Sequence, residues 1–573
     1  MTNENQPDHI GINTAPPASR LPTRRHLLKL LAALGVGSPV FQRALAAQAE
    51  KAPAVTAEMI QQAEWIAGLK LSDEERKAIV TGLNQAQRDF QTMRGVPLAN
   101  HVPPALAFHP APWLPPADRL GRGTVEPIQQ AAPKRPDAGD DLAFLPVTTL
   151  AALLRTRQVS SMELTRLYLE RLRKYDPVLR CVVTYTEDLA LRQAEQADRE
   201  IAAGCYRGPL HGIPWGAKDL IAYPGYPTTW GAAPFKGQVL DTKATVARKL
   251  EDAGAVLVAK LTLGALAQGD RWFGGMTRNP WDPRQGSSGS SAGSASAVAA
   301  GLVGFALGSE TLGSIVSPCR QCGVTGLRPT FGRVSRHGCM TLAWSMDKIG
   351  PMARSVEDCA LVFGAIHGFD GLDPSAVDRP FTWPLSRDLR TLKVGYFEDA
   401  GEERLRVLRE LGVRLVPIKL PAKYPVSALR IILGTEAAAV FDELTRRGIT
   451  EGLNNWPRTF RQGQFVPAVE YLRANRIRRL VMQEMEEVMA QVDLYVGGND
   501  LLLTNLTGHP TVVLPDGFRK ANGVEMPTAV TFTGRLYGEA ELLAVAHAYQ
   551  QATGFHLRRP PMDRVTPEKV GDK

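Results

Sequence analysis

The stretch from Gly286 to Pro329, GSSGSSAGSASAVAAGLVGFALGSETLGSIVSPCRQCGVTGLRP, constrains the fold more than any other part of the chain. Two glycine/serine segments flank a run of small apolar residues, Ala295 to Leu307. Glycine/serine segments usually serve as surface linkers, but a run this rich in Ala and Val belongs in a core. The pattern predicts a buried helix over 295–307 with a polar turn at each end. Such turns bring backbone N–H groups and hydroxyls close to a ligand, so the stretch reads as an active site.

The 573-residue chain is long enough for one large α/β domain or two domains, and its 44% hydrophobic and 22% charged content is that of an ordinary globular protein. Of the net charge of +9, three units belong to residues 1–46, where Arg20, Arg24, Arg25, Lys29 and Arg43 face only Glu4 and Asp8. The rest is spread thinly, with no basic run interleaved with aromatics, which argues against a nucleic-acid partner. Cys319-Arg-Gln-Cys322 is a C-x-x-C, yet no second pair stands at zinc-finger spacing. The cysteines therefore read as small buried apolar residues, and no metal site is expected.

Residues 20–46 place Thr23-Arg24-Arg25 before an apolar run interrupted by Lys29, and end on Ala44-Leu45-Ala46. That order is similar to a twin-arginine signal peptide with its cleavage site, which predicts export to the periplasm. A cytosolic amphipathic helix would leave the paired arginines, the weak run and the A-x-A unexplained together. The run is too short for a permanent membrane span. Residues 47–138 read as a helical appendage and proline-rich tether. Thr56 can cap one helix, and Ser72-Asp-Glu-Glu75 is a capping box before Ile79, Leu83, Ala86 and Phe90 at helical spacing. A globular domain is expected over 139–561, with a short tail at 562–573. Within it the sequence predicts a helix opened by Thr148, a capping box at Ser160-x-x-Glu163, strands at 181–185 and 256–259, and a last sheet strand within 501–518. A closing helix is predicted at 539–553.

Three chemistries compete for the central stretch. Gly289-Ser-Ser291-Ala-Gly293 matches the G-x-S-x-G nucleophile elbow by letter, but that elbow needs a buried strand before it, where Pro280-Trp-Asp-Pro283 stands instead. His337, His367, His509 and His547 lie in no telling context. A phosphate loop would end in Gly-Lys-Ser/Thr, which is missing. A serine can also be activated by an uncharged lysine, and Lys218 in Ile213-Pro-Trp-Gly-Ala-Lys follows an apolar lead-in that would desolvate it. Asp219 adjoins it, but in an extended segment the two side chains point apart.

Several ordered blocks resemble the amidase signature hydrolases. They are HGIPWGAKDL at 211–220, NPWDPRQGSSGSSAGSASAVAAGLVGFALGSETLGSIVSPCRQCGVTGLRPTFGRVS at 279–335, SMDKIGPMARSVEDCAL at 345–361 and TNLTGHPTVVLPDGF at 504–518. The resemblance implies an α/β fold with a large twisted mixed β-sheet covered by helices on both faces, here carrying an N-terminal helical appendage. It also implies a Ser–cis-Ser–Lys triad. The family's GSSGGSA loop aligns with 289–295, making Ser290 the bridging serine. Its DxGGS element aligns with Glu310-Thr311-Leu312-Gly313-Ser314, making Ser314 the nucleophile, 24 residues on. Lys218 is then the base, Thr311, Leu312 and Gly313 join Ser314 in holding the oxyanion, and no cofactor is needed.

Two departures from the family pattern carry expectations. Leu312 replaces a glycine, so its backbone must avoid positive φ or be strained, and its side chain would narrow the acyl pocket. Val316 replaces an arginine that in the family pairs with the acid at position 310, and Arg320 is expected to supply that charge. The function expected is an exported amidase acting on a small-molecule or peptide amide. Within the family the alternative is the glutamine-hydrolysing component of a tRNA-dependent amidotransferase. Outside enzymes it is a non-catalytic binding protein that keeps the fold.

Overall fold

The computed structural model describes residues 54–96, 106, 123–128, 133–498, 500–521 and 523–566. The expected signal segment, much of the proline-rich tether and the last residues of the tail lie outside the described residues. The chain divides into two compact units, Met1–Asn84 and Gln85–Lys573. In the first, the Thr56 hydroxyl caps helix α1 (Ala57–Ala63) by accepting from the Met59 N–H. Ser72 and Glu75 cap α2 (Asp73–Arg94) reciprocally, with Ser72 N–H to the Glu75 carboxylate at 2.8 Å and Glu75 N–H to Ser72 Oγ at 3.3 Å.

The second unit is built on an eleven-stranded mixed sheet. Its strands are β1 (Val182–Tyr185), β2 (Pro214–Lys218), β3 (Val256–Leu261), β4 (Phe305–Glu310), β5 (Thr325–Arg328) and β6 (Lys348–Ala353). They continue with β7 (Lys393–Tyr396), β8 (Arg414–Pro417), β9 (Leu494–Val496), β10 (Thr511–Ala521) and β11 (Val524–Gly534). The spatial order is β1-β3-β2-β4-β6-β5-β10-β11-β9-β7-β8, with β2 parallel to both β3 and β4. β2, β3, β5 and β6 are buried along their whole length, as strands are when both sheet faces are covered.

Side-chain alternation sends the central strands into two of the interior's cores. Trp215, Ala217, Phe305, Leu307, Val512 and Leu514 join one core with helices α5 (Val356–Ile366) and α7 (Glu539–Thr553). Ala306 and Val513, between them in sequence, join the other with α3 (Ala292–Ala299) and α4 (Val316–Cys322). Cys319 and Cys322 are unpaired and lie inside this second core, where burial pushes both thiols up.

Three expectations need correction. The helix expected over 295–307 ends at Ala299, and Phe305 already belongs to a strand. Gly301 takes φ +64°, and the Leu302 N–H closes back on Ala297 O at 2.9 Å, a left-handed glycine stop. A short apolar run fits either period, so the sequence alone could not divide this one. Likewise 501–518 is helix α6 (Leu501–Thr507) followed by β10, and the last strand is β11, which pairs with β10 along the length of both. The helix expected at Thr148 starts at Val147, after Pro146.

Candidate active site

Lys218 ends β2. Since Trp215 and Ala217 face the α5 and α7 core, Gly216 and Lys218 face the side of α3 and α4. The parallel register Ala217↔Leu307 lays Lys218 beside the Gly308–Ser309 end of β4. Its Nζ lies 2.8 Å from Ser290 Oγ, 3.0 Å from Ser291 Oγ, 2.9 Å from Ser309 Oγ and 3.2 Å from Ser309 O. Burial lowers its pKa from 10.5 to about 7, against the weaker opposing pull of Asp347 and Glu310. Asp219 turns away to pair with Lys260 at 2.9 Å and to accept from Thr229.

The turns around α3 and α4 supply the serines. Ser290 follows a cis peptide bond from Gly289 and is buried. Ser291, the serine of the G-x-S-x-G match, is also buried, and its Oγ accepts from the Ser309 N–H at 3.2 Å. A short strand does precede it, Asp282–Gly286, but that strand belongs to a two-stranded ribbon outside the main sheet. Ser314 stands at the opening of α4, where its C=O accepts from Ser291 N–H at 3.1 Å and joins the two turns. At 9% exposed, against 1% for Ser290 and none for Lys218, Ser314 is the member of the three that a substrate can reach.

Gly313 takes φ +85° while Leu312, half-buried, keeps an ordinary φ, so the glycine absorbs the turn that a leucine could not. Among the described residues, the N–H groups of Leu312, Gly313 and Ser314 donate to no protein acceptor. Thr311 is held from below, its hydroxyl donating to Asp347 Oδ1 at 2.6 Å.

The charge partner of Glu310 is Arg328 on β5, at 2.7 Å, and not Arg320. In α4 the residues Val316, Cys319 and Cys322 point inward, which leaves Arg320 on the exposed face. Sequence reasoning also missed Ser309 and Asn505, whose amide donates to Glu310 Oε1 at 2.8 Å. Strand alternation beside Lys218 could have found Ser309. Asn505 stands in the 504–518 block, but nothing local marks it as a partner of Glu310, 195 residues away. His509 is a bystander: it pairs with Thr507 Oγ1 at 2.8 Å, and burial lowers its pKa to about 3.

A buried lysine ringed by serines at the carboxyl ends of parallel strands, beside free backbone donors, places this chain among the acyl-transfer hydrolases. Comparison with known proteins narrows the class. The Amidase family model matches residues 163–498. The A subunit of the glutamyl-tRNA(Gln) amidotransferase of Chloroflexus aurantiacus is 36% identical over 486 residues, covering 73% of this chain and 99% of the relative. The native peptide amidase of Stenotrophomonas maltophilia superposes with a TM-score of 0.65 at 31% identity, covering 73% of this chain and 98% of its own. A bacterial aryl acylamidase of the amidase signature family, at 22% identity over 75% of this chain and 99% of its own, shares the fold with a TM-score of 0.64. The chain belongs to the amidase signature family, whose members here are amide-hydrolysing enzymes.

Proposed function

We propose that this protein hydrolyses a carboxamide C–N bond through an acyl-enzyme on Ser314, with Lys218 as base and Ser290 as proton relay. The observation that carries it is the Lys218 amine, buried with no carboxylate in contact among the described residues and 2.8 Å from Ser290 Oγ. An uncharged amine has two hydrogens and one lone pair. Ser309 O accepts one hydrogen and Ser291 Oγ, which can pass its own hydrogen to Ser309 O, accepts the other. The lone pair then accepts from a hydroxyl, and the nearest is Ser290 Oγ at 2.8 Å, ahead of Ser309 Oγ at 2.9 Å.

Lys218 takes the proton of Ser290, Ser290 takes that of Ser314, and the new Ser314 Oγ–C bond forms as the carbonyl electrons move onto oxygen. The N–H groups of the 311–314 turn stabilise that oxyanion, each donor contributing about 3–4 kcal/mol in the transition state. Collapse breaks the C–N bond, and the proton returns through Ser290 to the departing amine. Water, deprotonated by the same relay, releases the acid. Leu312 would bound the acyl side of the pocket.

Peptide amides stand first among substrates because of the likeness to the peptide amidase. The names of the curated relatives favour a second reading, a glutamine-hydrolysing component that works with partners. Residues 20–46 support export by the twin-arginine route, which does not fit a cytosolic tRNA-dependent complex. A panel of peptide amides, aryl amides and glutamine separates the two. Hydrolysis of peptide or aryl amides by the lone chain, lost in Ser314→Ala and in Lys218→Ala, supports the amidase. Turnover of glutamine alone supports the amidotransferase component, and activity that survives Lys218→Ala sinks the proposed base. Fractionation of cells making the chain with Arg24→Lys and Arg25→Lys together tests export: the protein should stay in the cytoplasm.

A further inference from the structure

Glu310, the last residue of β4, is fully buried and uses both carboxylate oxygens. Oε2 accepts the N–H groups of Ile315 at 2.8 Å and Val316 at 3.0 Å, the two that follow Ser314. Oε1 accepts Arg328 Nη1 at 2.7 Å and Asn505 Nδ2 at 2.8 Å. Arg328 is equally buried, and its Nη2 donates to His509 O at 2.9 Å and Thr511 Oγ1 at 2.6 Å. Asn505 is fixed in turn by donating to Leu501 O at 2.8 Å.

The turn that carries Ser314 and the free N–H groups is thus closed at both ends by one side chain. It leaves β4 at Glu310 and re-enters regular structure at the two N–H groups Glu310 holds. We infer that Arg328, through Glu310 and together with Asn505, is the positioning residue that fixes the Ser314 turn for attack, its charge brought in from β5. This rests on Ser314 being the nucleophile.

A carboxylate with no water around it stays ionised only because its partners outweigh burial. Burial would raise the Glu310 pKa, but Arg328, the Val316 N–H and Asn505 bring it down to about 2. The other ionisable groups around the pair are Lys218 on β2, Lys348 on β6 and Cys319 on α4, which interact with Glu310. Tyr495 on β9, with Asp500 and His509 flanking α6, interacts with Arg328. Without the guanidinium, Glu310 takes up a proton at much higher pH and accepts the two N–H bonds more weakly.

The test is steady-state kinetics of the full chain on the best amide of the panel, across pH, for Arg328→Gln, Arg328→Lys and Asn505→Ala. Arg328→Gln should lower kcat by about 100-fold, the scale of a small misplacement of reacting groups. KM should move by no more than about threefold. The ratio of Arg328→Gln to wild-type kcat should recover as pH rises and Glu310 ionises, a dependence that mere loosening of the fold would not produce. Arg328→Lys keeps the charge and should retain activity within about tenfold. A folded Arg328→Gln enzyme with wild-type kcat overturns the inference, as does a loss that is the same at every pH. If Arg328→Gln does not fold, Asn505→Ala decides: a fall in kcat at unchanged KM supports the inference, and unchanged kcat overturns it. Ser314→Ala run beside them keeps the two claims apart, because its retained activity would refute the nucleophile and not the clamp.

Discussion

Replacing Lys218 by methionine should abolish hydrolysis and, near pH 7, slightly stabilise the protein. The amine is completely buried, and its folded pKa of about 7 lies far below 10.5. Between these values the unfolded chain binds a proton that the native protein lacks, so native stability rises with pH through the window. Below about pH 7 both states hold the proton and the full penalty stands, and above 10.5 it is gone. Keeping the amine buried disfavours folding by about 4 kcal/mol at pH 7 and about 2 kcal/mol at pH 9. Methionine carries no such penalty. It forfeits bonds to Ser290, Ser291 and Ser309, at about 1 kcal/mol each, but that loss does not vary with pH. The diagnostic is therefore the slope. Urea unfolding of wild type and Lys218→Met in parallel should show the variant's relative stability falling by about 2 kcal/mol from pH 7 to pH 9. A difference that is flat over this range would refute the claim that burial depresses the lysine, and with it the reason Lys218 can act as a base near neutrality.

Further outcomes follow from the same geometry. The kcat/KM of the wild type should rise with pH through about 7 as Lys218 loses its proton and level off above, measured on a substrate whose own ionisation lies elsewhere. Cys319→Ser and Cys322→Ser place a hydroxyl in the α3 and α4 core. Each should lower stability by about 1–3 kcal/mol in urea unfolding without changing the pH profile of hydrolysis. Ser72→Ala removes a cap that lies in the first unit and should cost about 1 kcal/mol of stability there, leaving amide turnover unchanged.

Much of this protein is determined by the order of its residues alone. Capping boxes, the buried VLVA strand and the closing helix are local patterns, set by backbone N–H groups and side chains a few positions apart. The lysine and serine blocks are legible for the same reason, since each is a contiguous run. The tertiary structure decided what depends on long-range neighbours. The division of 295–307 into helix and strand depended on Gly301 and on pairing with β2, because a short apolar run satisfies both periods. The partner of Glu310 had to be found in space, since Arg320 is near in sequence but lies on the outer face of α4, while Arg328 arrives from a neighbouring strand. Above all, the basicity of Lys218 is no property of its letter. The neighbouring strands β3 and β4, the turn before α3 and three serines remove it from water, and only that burial brings its pKa to about 7.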